Sequence, residues 1–156
     1  MNMRNSTKNS GFTIIELIVV ITILGLLSAY ALPRFAAVQT EARIAKMNGA
    51  LASLKSGAAL AHAIQLTQQL APNASVTMEG STIAMNDGYP TTAATAIPVA
   101  AGLASPDFVL TVTSGTVFTV SADASHTNCS VTYTVPVALG SPPTYSSTNL
   151  TAANCA

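Results

Sequence analysis

From Phe12 to Leu32 the chain reads FTIIELIVVITILGLLSAYAL, apolar apart from one carboxylate, Glu16, and a few small hydroxyls. About 21 residues at 1.5 Å rise span a bilayer core of roughly 30 Å, so this segment can cross a membrane as one helix. Residues 1 to 11, MNMRNSTKNSG, are polar, carry Arg4 and Lys8, and contain no acid. A basic flank of this kind stays on the cytoplasmic side, which puts everything after Leu32 outside. A basic start, an apolar run and the A-x-A sequence Ala29-Tyr30-Ala31 also describe a secretory signal peptide. Against that reading, the run exceeds the usual apolar region of about 7–15 residues, and Glu16 interrupts it near its start.

An ionisable group within a membrane segment costs several kcal/mol unless it is partnered, so it marks a function by default. Glu16 calls for a cation. Proteolysis between Gly11 and Phe12 would create one, an α-amino group four residues earlier, about one helical turn away. The same spacing allows the two groups to meet within one chain or between staggered neighbouring helices, and protonation of Glu16 is a third way to neutralise it.

Gly11-Phe12-Thr13-Ile14-Ile15-Glu16-Leu17 followed by a long apolar helix resembles the class III signal of type IV prepilins. The resemblance implies cleavage after Gly11 by a membrane prepilin peptidase, methylation of the Phe12 amine, and a role for Glu16 in assembly. It also implies a helix-kinking proline at Pro33 and, with Gly25, a stretch that loosens during assembly. Physically this is reasonable, since proline removes a helix donor and glycine weakens the local helix.

Beyond Pro33, the apolar positions Ile44, Met47, Leu51, Leu54, Ala58 and Ala61 recur at helical spacing. Arg43, Lys46 and Lys55 lie off this seam, which predicts an amphipathic helix with one face for a core and another for water or neighbours. Pro72 stops the helix at the latest, so it runs from about Phe12 to about Leu70. The period then shortens to two. DFVLTVT (Asp107–Thr113) and TVFTVSA (Thr116–Ala122) flank Ser114-Gly115, read as a two-residue hairpin turn, and SVTYTV (Ser130–Val135) alternates apolar and hydroxyl side chains. Residues 88–105 and 136–156 carry prolines and read as loops.

The expected fold is α+β, a long N-terminal helix packed on a small antiparallel sheet of three to four strands, closed by a C-terminal disulfide loop. Its expected divisions are a leader at 1–11, a transmembrane and assembly half of the helix at 12–33, an amphipathic half at 34–71 and a head at 72–156.

Cys129 and Cys155 are the only cysteines, and in an exported protein an isolated pair reads most simply as one disulfide, with two buried free thiols as the alternative. A bridge there closes a loop of roughly 25 residues, worth on the order of 3 kcal/mol in the chain-entropy model.

The resemblance extends further. Ala42-Arg43-Ile44-Ala45, Met47-Asn48-Gly49, Gly88-Tyr89-Pro90 and Cys129-Ser130-Val131-Thr132-Tyr133-Thr134 are similar to the major pilins of the mannose-sensitive haemagglutinin (MSHA) type. That family implies a homopolymeric extracellular pilus with an exposed loop between the cysteines. The implied partners are prepilin peptidase, the inner-membrane assembly machinery of a Gram-negative cell, and host or abiotic surfaces.

Net charge is zero, 8% of residues are charged, and no Lys or Arg follows Lys55. No charge-driven hold on nucleic acid is therefore expected. A weakly acidic head that relies on hydroxyls for solvation suits a surface that packs against copies of itself. His126 and Cys129 have an H-x-x-C spacing, but no second pair lies nearby to complete a zinc site. Without a phosphate loop or nucleophile motif the chain is read as a non-enzyme with no cofactor. Asn73-Ala74-Ser75 and Asn128-Cys129-Ser130 match the N-glycosylation pattern but read as ordinary loop residues. The rival functions are a type II secretion pseudopilin, a minor pilin of the same pilus, and a secreted adhesin cut at Ala31. Major pseudopilins carry a calcium site near the C-terminus in place of the disulfide. Calcium needs several oxygen ligands, and this chain has no Asp or Glu after Asp123.

Overall fold

The computed structural model describes residues 11–156, so the expected leader, apart from Gly11, lies outside the described residues. Two compact units are present, the first ending at Ala37 and the second running from Val38 to Ala156. Helix α1 (Ile14–Thr67) supplies residues to both. It starts two residues later and ends three residues earlier than the sequence predicts.

The end of α1 has a specific cause. Leu70 N–H bonds to Gln65 C=O at 3.1 Å and Gln69 N–H to Leu66 C=O at 3.1 Å, while Gln69 sits at φ 52°. This is the left-handed turn that closes many helices, usually with glycine in that place. A glutamine there gives no signal in the sequence. Gln65, 2% exposed, reinforces the stop from inside, its side-chain amide lying 3.0–3.1 Å from the carbonyls of Ala71, Pro72 and Ala74.

Two small hairpins follow, β1 (Val76–Met78) with β2 (Ser81–Ile83), and β3 (Met85–Asn86) with β4 (Tyr89–Pro90). After the short helix α2 (Ile97–Ala100) come β5 (Val109–Val112), β6 (Val117–Ser121), β7 (Ser130–Thr134) and β8 (Thr144–Ser146). These four form one antiparallel sheet in the order β5-β6-β7-β8. The chain ends in α3 (Ala152–Cys155), capped by the Thr151 hydroxyl, which accepts from Asn154 N–H. The α+β fold expected from the sequence is therefore the one observed.

Met47, Ala50, Leu54 and Ala58 of α1 meet Phe118, Val120, Val131 and Tyr133 of the sheet in the main core. The cross-strand pairs Val120↔Val131 and Phe118↔Tyr133 place these side chains on one face, as the alternation in SVTYTV requires. Tyr133 is fully buried, donates its hydroxyl to Pro90 O at 2.7 Å, and has its pKa pushed up by burial. A second cluster joins Ala61 to Val76, Ile83, Met85 and Ala96.

Three sequence expectations need correction. The β5–β6 turn takes in Thr116 as well as Ser114-Gly115: Val112 lies opposite Phe118, and Thr113 N–H bonds to Val117 O at 2.9 Å. The Ser114 hydroxyl accepts from Val117 N–H at 3.1 Å, which stabilises the longer turn. Residues 88–105 hold β4 and α2, and the tail holds β8 and α3. Elements of two to four residues are too short to express a period, which is why they read as loops. Between the cysteines, Val131, Tyr133 and Val135 are core, and the exposed stretches are residues 137–140, 147–149 and 151–153.

Candidate functional site at the start of the long helix

Gly11 and Phe12 precede the helix and are exposed, Phe12 at 86%. Thr13 is the first residue to organise the chain. Its hydroxyl accepts from Glu16 N–H at 3.3 Å and donates to Glu16 Oε2 at 2.8 Å, and its own N–H donates to the same oxygen at 2.8 Å. This is a reciprocal capping box, in which the acid at the third helical position returns to the residue that opens the helix. The carboxylate also lies where the partial positive charge of the helix start favours an anion. This T-x-x-E pattern, passed over in the sequence reading, gives Glu16 a partner within its own chain besides the cation sought for it.

Between Glu16 and Phe35 no large apolar side chain is buried. From Phe12 to Phe35 every one is at least 47% exposed. The most apolar 18-residue window has a mean hydropathy of 2.4 and none of it is buried. Gly25 lies within this stretch, and a Cβ added there would meet nothing within 4 Å. Pro33 lies inside α1, with helical residues on both sides. It has no N–H to give the Ala29 carbonyl.

The second functional feature lies at the C-terminus, where Cys129 and Cys155 form a disulfide and both are fully buried. Arg43, read from the sequence as facing water or neighbours, instead donates from Nη1 to Cys155 O at 2.9 Å and places Nε 3.4 Å from Asp123 Oδ2. Lys46 donates to Ala122 O at 2.8 Å and to Asp107 O, with its ammonium 4.6 Å from the centre of the Phe108 ring. Lys55 lies over the Tyr145 ring at 5.7 Å. The basic side of the helix is therefore a second seam with the head. Sequence reasoning missed this because, apart from Asp123, the partners are backbone carbonyls and rings, which carry no charge to match.

Asp123 Oδ1 accepts from the backbone N–H groups of Ser125 and His126, both at 2.9 Å, and lies 2.7 Å from His126 Nδ1. The hydrogen bond from His126 is the largest cause holding its carboxyl below the usual range. These contacts also account for the H-x-x-C pair, since His126 faces Asp123 and Cys129 is bridged. Burial raises Tyr145, on β8, to a pKa of about 12. Gly57 is a further position the sequence did not flag: a Cβ there would lie 2.4 Å from Ala100 O, so only glycine lets α2 approach the helix this closely.

The family model for the prokaryotic N-terminal methylation motif matches residues 6–32. No curated protein and no solved structure gave a match. The motif, the exposed apolar helix behind it and the disulfide-closed head support a type IV pilin-like precursor, a pilin or a pseudopilin.

Proposed function

We propose that this chain is the major structural subunit of an MSHA-like type IV pilus. Prepilin peptidase cuts between Gly11 and Phe12 and the new amine is methylated. The subunit waits in the inner membrane of a Gram-negative cell, held by residues 12–33, until the assembly machinery packs its helix into an extracellular filament that attaches the cell to surfaces. One observation carries this reading: the stretch Phe12–Leu32 is apolar apart from Glu16 and a few small hydroxyls, exposes its large side chains, and directly follows Gly11 inside the methylation motif. A surface of this kind is soluble only in lipid or against copies of itself.

The pseudopilin alternative shares that stretch. The disulfide between Cys129 and Cys155, and a chain free of Asp and Glu after Asp123, favour the pilin. The test is an intact mass of filaments sheared from cells. A mass matching residues 12–156 with one added methyl and one disulfide is expected; a mature N-terminus at Leu32, or an uncut leader in assembled filaments, overturns the proposal.

A further inference from the structure

Resting on the filament reading, we propose that the cleft beside Asp87 receives Arg34 of a second copy of this chain. The cleft lies where the end of α1 meets the β3–β4 turn and the exposed loop after β7. Its walls include His62, Leu66, Leu70, Tyr89 and Leu139, with the carboxylate of Asp87 among them. Its volume is about 240 Å³, below the roughly 300–1,000 Å³ of small-molecule sites, and suits one long side chain.

Two half-buried acids lie in the head, and they differ in one respect. Asp123 has Arg43 and His126 against it. Asp87 receives an amide hydrogen bond from Asn86 at 2.9 Å and has no ion pair among the described residues. A partly desolvated carboxylate gains from a cation, and no Lys or Arg follows Lys55.

The cations of the chain are also accounted for. Arg4 and Lys8 belong to the leader. Arg43 is engaged by Cys155 and Asp123, Lys46 by two carbonyls and the Phe108 ring, and Lys55 by the Tyr145 ring. That leaves Arg34, exposed and without an ion pair among the described residues. Arginine fits the cleft chemically as well as by charge. Its methylene stem packs on leucine, and its planar guanidinium both pairs with a carboxylate and stacks on aromatic rings. His62 and Tyr89 are stacked on each other at 4.3 Å, and the His62 Nδ1 to Gly88 O contact of 2.6 Å fixes that wall.

The test uses cells that make the full chain and its assembly machinery. Arg34→Asp and Asp87→Arg are each expected to reduce sheared filament at least fivefold, and the double charge swap to restore most of it. Peptidase-cleaved subunit with no alkylatable thiol, measured in the same cells, shows that each variant still folds. Should the swap kill assembly for another reason, Arg34→Cys with Asp87→Cys provides a second readout: a short thiol crosslinker should give dimers and longer ladders in the double variant and not in either single variant. Wild-type filaments with neither rescue nor crosslinks overturn this inference and leave the pilus reading standing. A wild-type chain that is never cleaved or never forms filaments overturns both.

Discussion

Between Met47 and Ala61, α1 buries Met47, Leu54, Ala58 and Ala61 completely, whereas between Phe12 and Phe35 it buries no large apolar side chain. Both stretches belong to α1, apart from Phe12 and Thr13 at its start, and both contain several leucines. The difference lies in the polar residues. In the later stretch and the turn before it, Arg43, Lys46, Asn48, Ser53, Lys55 and Ser56 separate an apolar seam from a polar side, so one face suffices for the core. The earlier stretch is apolar all round, and a helix of that kind must be enclosed by something other than its own chain. The later stretch therefore builds the core of the head, and the earlier one, on the proposed function, sets where the subunit resides and what it joins.

The largest effect that separates the two regions should come from Glu16. Its replacement by alanine is expected to leave cleavage and membrane insertion nearly unchanged while lowering sheared filament more than tenfold, read as filament against cleaved membrane subunit. The capping box adds a control. Glu16→Gln keeps an acceptor for Thr13 but removes the charge. If it assembles normally, Glu16 serves as a helix cap; if it fails as alanine does, the charge itself is needed, as pairing with the Phe12 ammonium requires.

Truncating one leucine in each region gives the next contrast. Leu54→Ala removes a fully buried side chain and should destabilise the head by about 2–5 kcal/mol. Leu24, 55% exposed, should change it by less than about 0.5 kcal/mol when replaced by alanine. Denaturant unfolding of the purified full chain in detergent, followed by near-ultraviolet circular dichroism, measures both. Equal effects would mean that the two stretches are not energetically separate.

Cys129→Ser tests what closes the later region. Loss of the bridge should cost about 3 kcal/mol, and the subunit should be poorly assembled although still inserted. Two thiols alkylatable in native, unreduced filaments would show that the bridge is not formed. Gly57→Ala is expected to cost about 1–3 kcal/mol as α2 is pushed from the helix. Its effect should be absent for Gly25→Ala, where a Cβ meets nothing.

How much of this could be read from residues alone follows the same division. Long periodic features were legible: the apolar run, the stripe from Ile44 to Ala61, and the strands around Phe118 and Tyr133. Each repeats one physical rule over many residues. What stayed hidden depends on a single local geometry. Gln69 takes a left-handed conformation that its side chain does not announce, Thr116 lengthens a turn by one residue, and Gly57 matters only because Ala100 is folded against it. At the candidate site, Gly11, Phe12 and Glu16 stood out because a charge in an apolar run is conspicuous. Thr13 did not, because a hydroxyl next to that run is not. The roles of Arg43 and Lys46 were hidden for a related reason: their head partners include neutral carbonyls that any residue could supply.

The smallest effect concerns the acid end of that second seam. Asp123 has its carboxyl held below the ordinary range mainly by the hydrogen bond from His126, with the N–H groups of Ser125 and His126 assisting. A carboxylate whose folded pKa is depressed contributes stability that is present above its unfolded value, near 3.9, and is lost as pH falls through the lower folded value. The wild-type head should therefore lose an increment of stability on acidification below about pH 4, and Asp123→Asn should lack that increment while keeping the rest of its acid profile. The side chain is 44% exposed, so water and salt screen the pair and the difference between the two proteins at pH 7 should be about 1 kcal/mol or less. Unfolding curves for both proteins between about pH 2 and 7, at low and high salt, provide the check. Parallel pH profiles would show that Arg43 and His126 hold the loop through geometry alone, and that the charge on Asp123 contributes nothing to keeping the bridged end of the chain on its helix.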